Sequence, residues 1–251
     1  MLRSTRKIIG YHIRATDEEI GTARDLCFDD QSWRFRYLVV DTGVWLPGRQ
    51  VLVSPESMGE PNWNAQTIPV DLSKSQIEQS PPVGTDQPVS RQHEAQLAAY
   101  YGWHPYWAPG PLAGVVAAAP KPAESTEGPE GDPHLRSLNE VLGYHIEATD
   151  GRIGHVEDVI AETDDWTVRY VVVDTRDWLP GKKVLISPEW AERIDWSKGA
   201  VHLNLAQEQV RDAPKFDPSS PVNREYEERL YDYYGRPPYW RPDTATVGYG
   251  G

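Results

Sequence analysis

Apolar and polar positions alternate most clearly at residues 33–40 and again at 166–173. In the later stretch Trp166, Val168, Tyr170 and Val172 share one face while Val171 and Val173 share the other; in the earlier one Trp33, Phe35, Tyr37 and Val39 alternate with Leu38 and Val40. A period of two, rich in β-branched and aromatic residues, predicts strands. Shorter runs at residues 10–15, 20–28, 50–53 and 67–70 are separated by turn chemistry, including Pro47-Gly48, Asp150-Gly151 and Lys198-Gly199. About five or six short strands in succession point to a small barrel, because closure removes the edges that short strands otherwise expose. The period then changes. Ser73 and Gln76 form a capping box, with Leu72 placed to staple Ile77, so a short helix is predicted to run to about Ser80, ahead of Pro81. A longer helix is predicted from Ser90, with His93, Leu97, Tyr100 and Tyr101 on one face, Gly102 as its stop and Pro105 beyond.

The whole pattern occurs twice. Residues 2–109 align without a gap onto residues 135–242 at a constant offset, and about 45 of the 108 aligned positions are identical. The second copy keeps Leu205, Gln209, Val210 and Pro214 of the short helix but has Ala206 where the first has Ser73, a change that costs about 1 kcal/mol of local stability. Its longer helix is predicted from Asn223, with Tyr226, Leu230, Tyr233 and Tyr234 on one face, then Gly235, Pro237 and Pro238. Between the copies, Pro, Gly, Ala and Glu dominate, and such a composition buries too little apolar area to offset its ordering entropy. The expected organisation is a first repeat at 1–110, a flexible linker at 111–133, a second repeat at 134–243 and a tail at 244–251.

Composition narrows the function. The 251 residues carry a formal net charge of -13, and neither copy has the basic stripe that phosphate neutralisation requires, so direct nucleic-acid binding is not expected. No apolar run approaches the roughly 20 residues needed to cross a bilayer, and the basic N-terminus lacks a small-residue cleavage site; a cytoplasmic protein is expected, without membrane insertion though with room for peripheral docking. A single cysteine, Cys27, excludes an internal disulfide and a cysteine-based zinc site. Its counterpart is Ile160, which assigns Cys27 to the core.

The ordered motifs GYHI-x-ATD (from Gly10 and Gly143), Ile-Gly (Ile20, Gly21; Ile153, Gly154), RYxVVDT (from Arg36 and Arg169) and VLxSPE (from Val51 and Val184) resemble the PRC-barrel family. The likeness covers roughly residues 5–80 and 138–213. That family is named for the cytoplasmic barrel of the photosynthetic reaction-centre H subunit, and a similar barrel occurs in a ribosome maturation factor. The resemblance implies a small β-barrel in each copy; with the helices and aromatic clusters read from the residues, the expected fold is mainly β with helical extensions, two tandem small PRC-like β-barrels, each followed by two short helices and an aromatic tail. It also implies action by docking to other proteins, and it supplies no shared catalytic residues.

Candidate chemistry is sparse. Asp17, Asp25, Asp41 and Glu56 recur as Asp150, Asp158, Asp174 and Glu189, but acids retained in both copies fit turns and strand ends better than acid-base work. The 7 histidines show no HExxH pattern, only His12 and His145 are matched, and no Gly-rich phosphate loop follows a strand, so neither metal nor cofactor is expected. The aromatic balance is more distinctive: 10 Trp and 13 Tyr against 3 Phe favour rings with a polar tip, suited to partly wet contacts. Tyr101, Tyr106 and Trp107 in the first copy match Tyr234, Tyr239 and Trp240 in the second, and these six are the candidate contacts between copies or with a protein partner. The acidic turn of Glu225, Glu227 and Glu228 is expected to be solvated. The expected function is a non-enzymatic interaction module, an intramolecular pseudo-dimer of barrels. The alternatives are a peripheral accessory subunit of a photosynthetic or other electron-transfer membrane complex, and a hydrolase using the repeated carboxylates.

Overall fold

A computed structural model describes residues 1–47, 49–84, 89–108, 134–175 and 181–241. The expected linker and terminal tail lie outside the described residues, as does Gly48 of the Pro47-Gly48 turn. The strands and helices follow in chain order as β1 (Leu2–Ser4), β2 (His12–Arg14), β3 (Glu19–Asp29), β4 (Arg34–Asp41), β5 (Arg49–Val53), β6 (Thr67–Pro69), α1 (Lys74–Glu78), β7 (Val83–Gly84) and α2 (Arg91–Tyr101). The second copy supplies β8 (Leu135–Ser137), α3 (Leu138–Val141), β9 (His145–Ala148), β10 (Gly151–Glu162), β11 (Thr167–Asp174), β12 (Lys183–Ile186), β13 (Ala191–Asp195), β14 (Ala200–Leu203), α4 (Gln207–Asp212) and α5 (Arg224–Tyr234). The protein is mainly β with short helical extensions, as the alternating patterns predict.

The chain folds as two compact units. One comprises the described residues of Arg6–Glu140 with Asp165–Thr167; the other comprises those of Met1–Thr5, Val141–Asp164 and Val168–Gly251. In the first, β2, β3, β4 and β5 form an antiparallel meander and β6 returns parallel to β2, placing Ile13 opposite Ile68. The core comprises Ile13, Leu26, Phe28, Leu38, Leu52, Ile68 and Ile77. In the second, β9 pairs with β10, β11 with β12, and β14 runs parallel to β9 with Val201 opposite Ile146. Its core is built the same way, from Ile146, Val156, Ile160, Tyr170, Val172, Leu185 and Val210.

Each unit also takes one strand from the other copy. Leu2–Ser4 pairs antiparallel with β10, Leu2 opposite Glu162 and Ser4 opposite Ile160. Leu135–Ser137 pairs antiparallel with β3, Leu135 opposite Asp29 and Ser137 opposite Cys27. The exchange is reciprocal and its register is the same in both units.

Two patterns in the sequence have different outcomes from those expected. Trp33 and Trp166 do not begin the alternating strands; both lie in the left-handed region at φ 56°, in the turn that precedes β4 and β11. Trp33 instead folds back and stacks on Phe28, ring centroids 5.3 Å apart, and aromatic stacking offsets an uncommon backbone conformation. The long helices also bury a different stripe. Glu94, Leu97 and Ala98 face inward on α2, and Glu227, Leu230 and Tyr231 on α5, while Tyr100 and Tyr233 stay about two-fifths exposed. Glu227 is therefore buried and not solvated as its acidic neighbours suggested.

Candidate functional site

Among the acids shared by the copies, Asp17, Asp25, Asp41, Glu56, Asp150 and Asp158 are engaged in structural bonds. Asp17 accepts from the Lys74 N–H at 3.0 Å and Asp150 from the Gln207 N–H at 2.8 Å, so each carboxylate caps the first turn of α1 or α4. Asp25 accepts from the Ser137 hydroxyl and from the backbone N–H of Leu26 and Asn139; Asp158 accepts from the Ser4 hydroxyl and the Val159 N–H. These two acids thus fasten the exchanged strands. Asp41 closes a turn through the Gly43 N–H at 2.9 Å, and Glu56 receives the N–H and the ring nitrogen Nδ1 of His104. Among the described residues no group of three or more His, Cys, Asp and Glu is placed to hold a metal ion. Cys27 is buried, and its desolvation raises the thiol pKa well above its ordinary value.

The aromatic tails return onto their own units around a buried carboxylate. Glu94 lies fully buried on α2; Tyr37 from β4 donates to its Oε2 at 3.0 Å and Tyr106 from the tail donates at 2.8 Å. Arg91, one turn earlier, approaches the same carboxylate at 3.4 Å. Its guanidinium also lies 4.5 Å from the Trp107 ring centre, while Arg36 covers Tyr106 at 3.9 Å. The second unit repeats the arrangement: Tyr170 and Tyr239 donate to Glu227 at 2.7 and 2.9 Å, and Arg224 meets that carboxylate at 3.1 Å. Arg224 lies 4.0 Å from the Trp240 ring and Arg169 lies 4.2 Å from the Tyr239 ring. Burying a carboxylate is costly unless donors and a cation offset it; in each unit two phenols bond one carboxylate oxygen and the guanidinium pairs with the other. Desolvation, reinforced by the neighbouring carboxylate, raises the Tyr37 pKa above the ordinary phenol range; the same factors act on Tyr170, together with Tyr231.

Tyr106, Trp107, Tyr239 and Trp240 are half-buried in this framework. Tyr101 stacks on Trp103 at 4.4 Å, and Trp103 donates from its indole N–H to Ser57 at 2.7 Å. The second copy has Arg236 in place of Trp103, yet Tyr234 still finds an indole, because Trp190 stands where the first copy has Ser57 and lies 4.9 Å away. The tail supplies the large ring in one copy and the barrel supplies it in the other. Inspection for aromatic clusters finds the tails but misses Glu94, Glu227 and their arginines. The available signal was identity between copies: Arg36, Tyr37, Arg91 and Glu94 recur unchanged as Arg169, Tyr170, Arg224 and Glu227.

Among the described residues no helix is long and apolar enough to cross a membrane. A comparison with curated protein sequences finds no match. The family model for the PRC-barrel domain matches residues 3–77 and 134–210, the two stretches that hold the meanders and the short helices α1 and α4. PRC-barrel domains are generally non-catalytic and typically serve protein interaction. With both halves matched in the same order and across most of its length, the chain belongs to the PRC-barrel domain family.

Proposed function

We propose that this chain is a non-enzymatic protein-interaction module, an intramolecular pseudo-dimer of two PRC barrels acting in the cytoplasm, with the open faces of Tyr101, Tyr106, Trp107, Tyr234, Tyr239 and Trp240 as its contact surface. One observation carries the reading: both copies fix a Tyr-Trp pair by the same carboxylate and arginine framework, yet leave each residue only half-buried. Pre-fixed aromatic rings suit protein recognition because they lose little conformational entropy on binding and bury much area. The shared acids support the same reading, since the bonds that engage them are those of caps, turns and strand fastenings. The partner this chemistry fits is another protein; no direct nucleic-acid contact is expected from the acidic balance.

The test is recovery of partners from native lysate with the full chain and with Trp107→Ala and Trp240→Ala variants. A stoichiometric partner held by the native chain and lost from at least one variant of unchanged melting temperature supports the assignment. Undiminished recovery by both variants overturns the surface. A turnover found in a broad substrate screen and abolished by Asp41→Asn or Asp174→Asn overturns the non-enzymatic reading.

A further inference from the structure

The seats of the exchanged strands share their register and their main fastening. Leu2-Arg3-Ser4 recurs as Leu135-Arg136-Ser137, and the strands that receive them present matched positions in the same register. Each serine hydroxyl bonds a matched carboxylate, Asp158 or Asp25. Beyond the strand, Thr5 is buried and gives both its N–H and its hydroxyl to the Val159 carbonyl, at 2.9 and 3.0 Å. Leu2 is buried too. The strand register and the serine–carboxylate bond recur in both seats, and the Thr5 hydroxyl bond, which Leu138 cannot repeat, fits the β10 seat to Leu2–Thr5 in particular; each unit accepts a strand from outside its own repeat. Only chain linkage selects whether Leu2–Thr5 comes from the same molecule or from another.

We infer that the β10 edge also accepts Leu2–Thr5 from a second molecule of this chain, giving a dimer in which two molecules trade their first strands. Contacts made within one molecule and between two are the same, so the trade costs the entropy of association and any adjustment near Arg6. A short tether holds its segment at an effective concentration in the millimolar range, and the dimer emerges as the chain approaches that concentration. This inference is independent of the aromatic surface and of any outside partner.

The unmodified chain is refolded from denaturant at micromolar and at near-millimolar concentration and examined by sedimentation velocity. Dimer confined to the concentrated sample is expected; monomer in both overturns the inference. The route is identified by mixing two single-cysteine chains on a Cys27→Ala background, one carrying Ser4→Cys and the other Asp158→Cys, and refolding them together under oxidation. A mixed disulfide at least tenfold above the yield from Ser4→Cys with the exposed Glu228→Cys supports strand exchange; a yield equal to that control overturns it. Should a cysteine variant fail to fold, Leu2→Asp in the otherwise native chain decides. Loss of the dimer supports the inference, and undiminished dimer overturns it.

Discussion

At the scale of single residues, the repeated Ile-Gly pair shows how a backbone contact dictates a side chain. A Cβ on Gly21 would lie 2.0 Å from the Asp41 carbonyl oxygen, and one on Gly154 would lie 2.0 Å from that of Asp174. No rotamer relieves such a clash, so β3 must part from the end of β4, and β10 from the end of β11. Gly21→Ala and Gly154→Ala are each expected to lose about 3 kcal/mol, read as a shift of the urea midpoint. The buried glutamates behave differently. Glu94→Ala leaves Tyr37, Tyr106 and Arg91 without their common acceptor and is expected to cost roughly 3–5 kcal/mol, whereas Glu94→Gln keeps an acceptor and costs less. Equal losses in the two variants would show that packing, and not the polar framework, holds the tail. Asp25 adds a pH dependence. Burial raises its carboxyl above the ordinary 3.8, so the folded unit binds this proton more tightly than the unfolded chain. Its contribution is complete below that ordinary value and declines as pH rises through the folded one. The stability of the native chain relative to Asp25→Asn is therefore expected to fall as pH rises above 3.8 in denaturant titrations; a constant difference would contradict it.

At the scale of elements, α1 and α4 show which parts of a short helix the sequence reveals. Helices of this length do not persist alone, so their ends must be held. Ser73 supplies both halves of the expected capping box, accepting from the Gln76 N–H while the Gln76 side chain accepts from the Ser73 N–H. In α4 only the second half survives, with Gln209 accepting from the Ala206 N–H at 2.8 Å. Ala206→Ser is therefore expected to stabilise the chain by about 0.5–1 kcal/mol, measured as a raised urea midpoint. The far ends were not legible, since their caps come from another element. Arg49 at the start of β5 donates to the Glu78 and Ser80 carbonyls at 2.8 and 2.6 Å; the matched Lys182, just before β12, donates to those of Arg211 and Ala213. The longer helices give the same lesson. Their starts at Ser90 and Asn223 and their left-handed stops at Gly102 and Gly235 agree with the sequence reading. Their inward face does not, because a buried glutamate breaks the apolar periodicity and becomes acceptable only once two distant tyrosines are folded against it.

At the scale of the whole molecule, duplication was legible and strand exchange was not. The repeats align so closely that two similar folds follow from the residues alone. Leu2-Arg3-Ser4 and Leu135-Arg136-Ser137 are identical, however, so their pattern gives no preference for which unit receives them. The fastenings should contribute alike: Ser4→Ala and Ser137→Ala are each expected to cost about 1–2 kcal/mol, and the two losses should add because the serines share no bonding partner. A non-additive result in thermal denaturation would show that the two seats are coupled.

Taken by itself, the sequence determined the family, the strand-then-helix order, the helix caps that lie near in the chain and the acidic, cysteine-poor chemistry, because periodicity and turn residues act over a few positions. Only tertiary structure decided that Glu94 and Glu227 are buried, that Trp190 takes the place beside Tyr234 that Trp103 takes beside Tyr101, and that the first strand of each repeat crosses to the other. Those outcomes depend on groups tens of residues apart meeting in space, and the free energy of such meetings is not written in any local pattern.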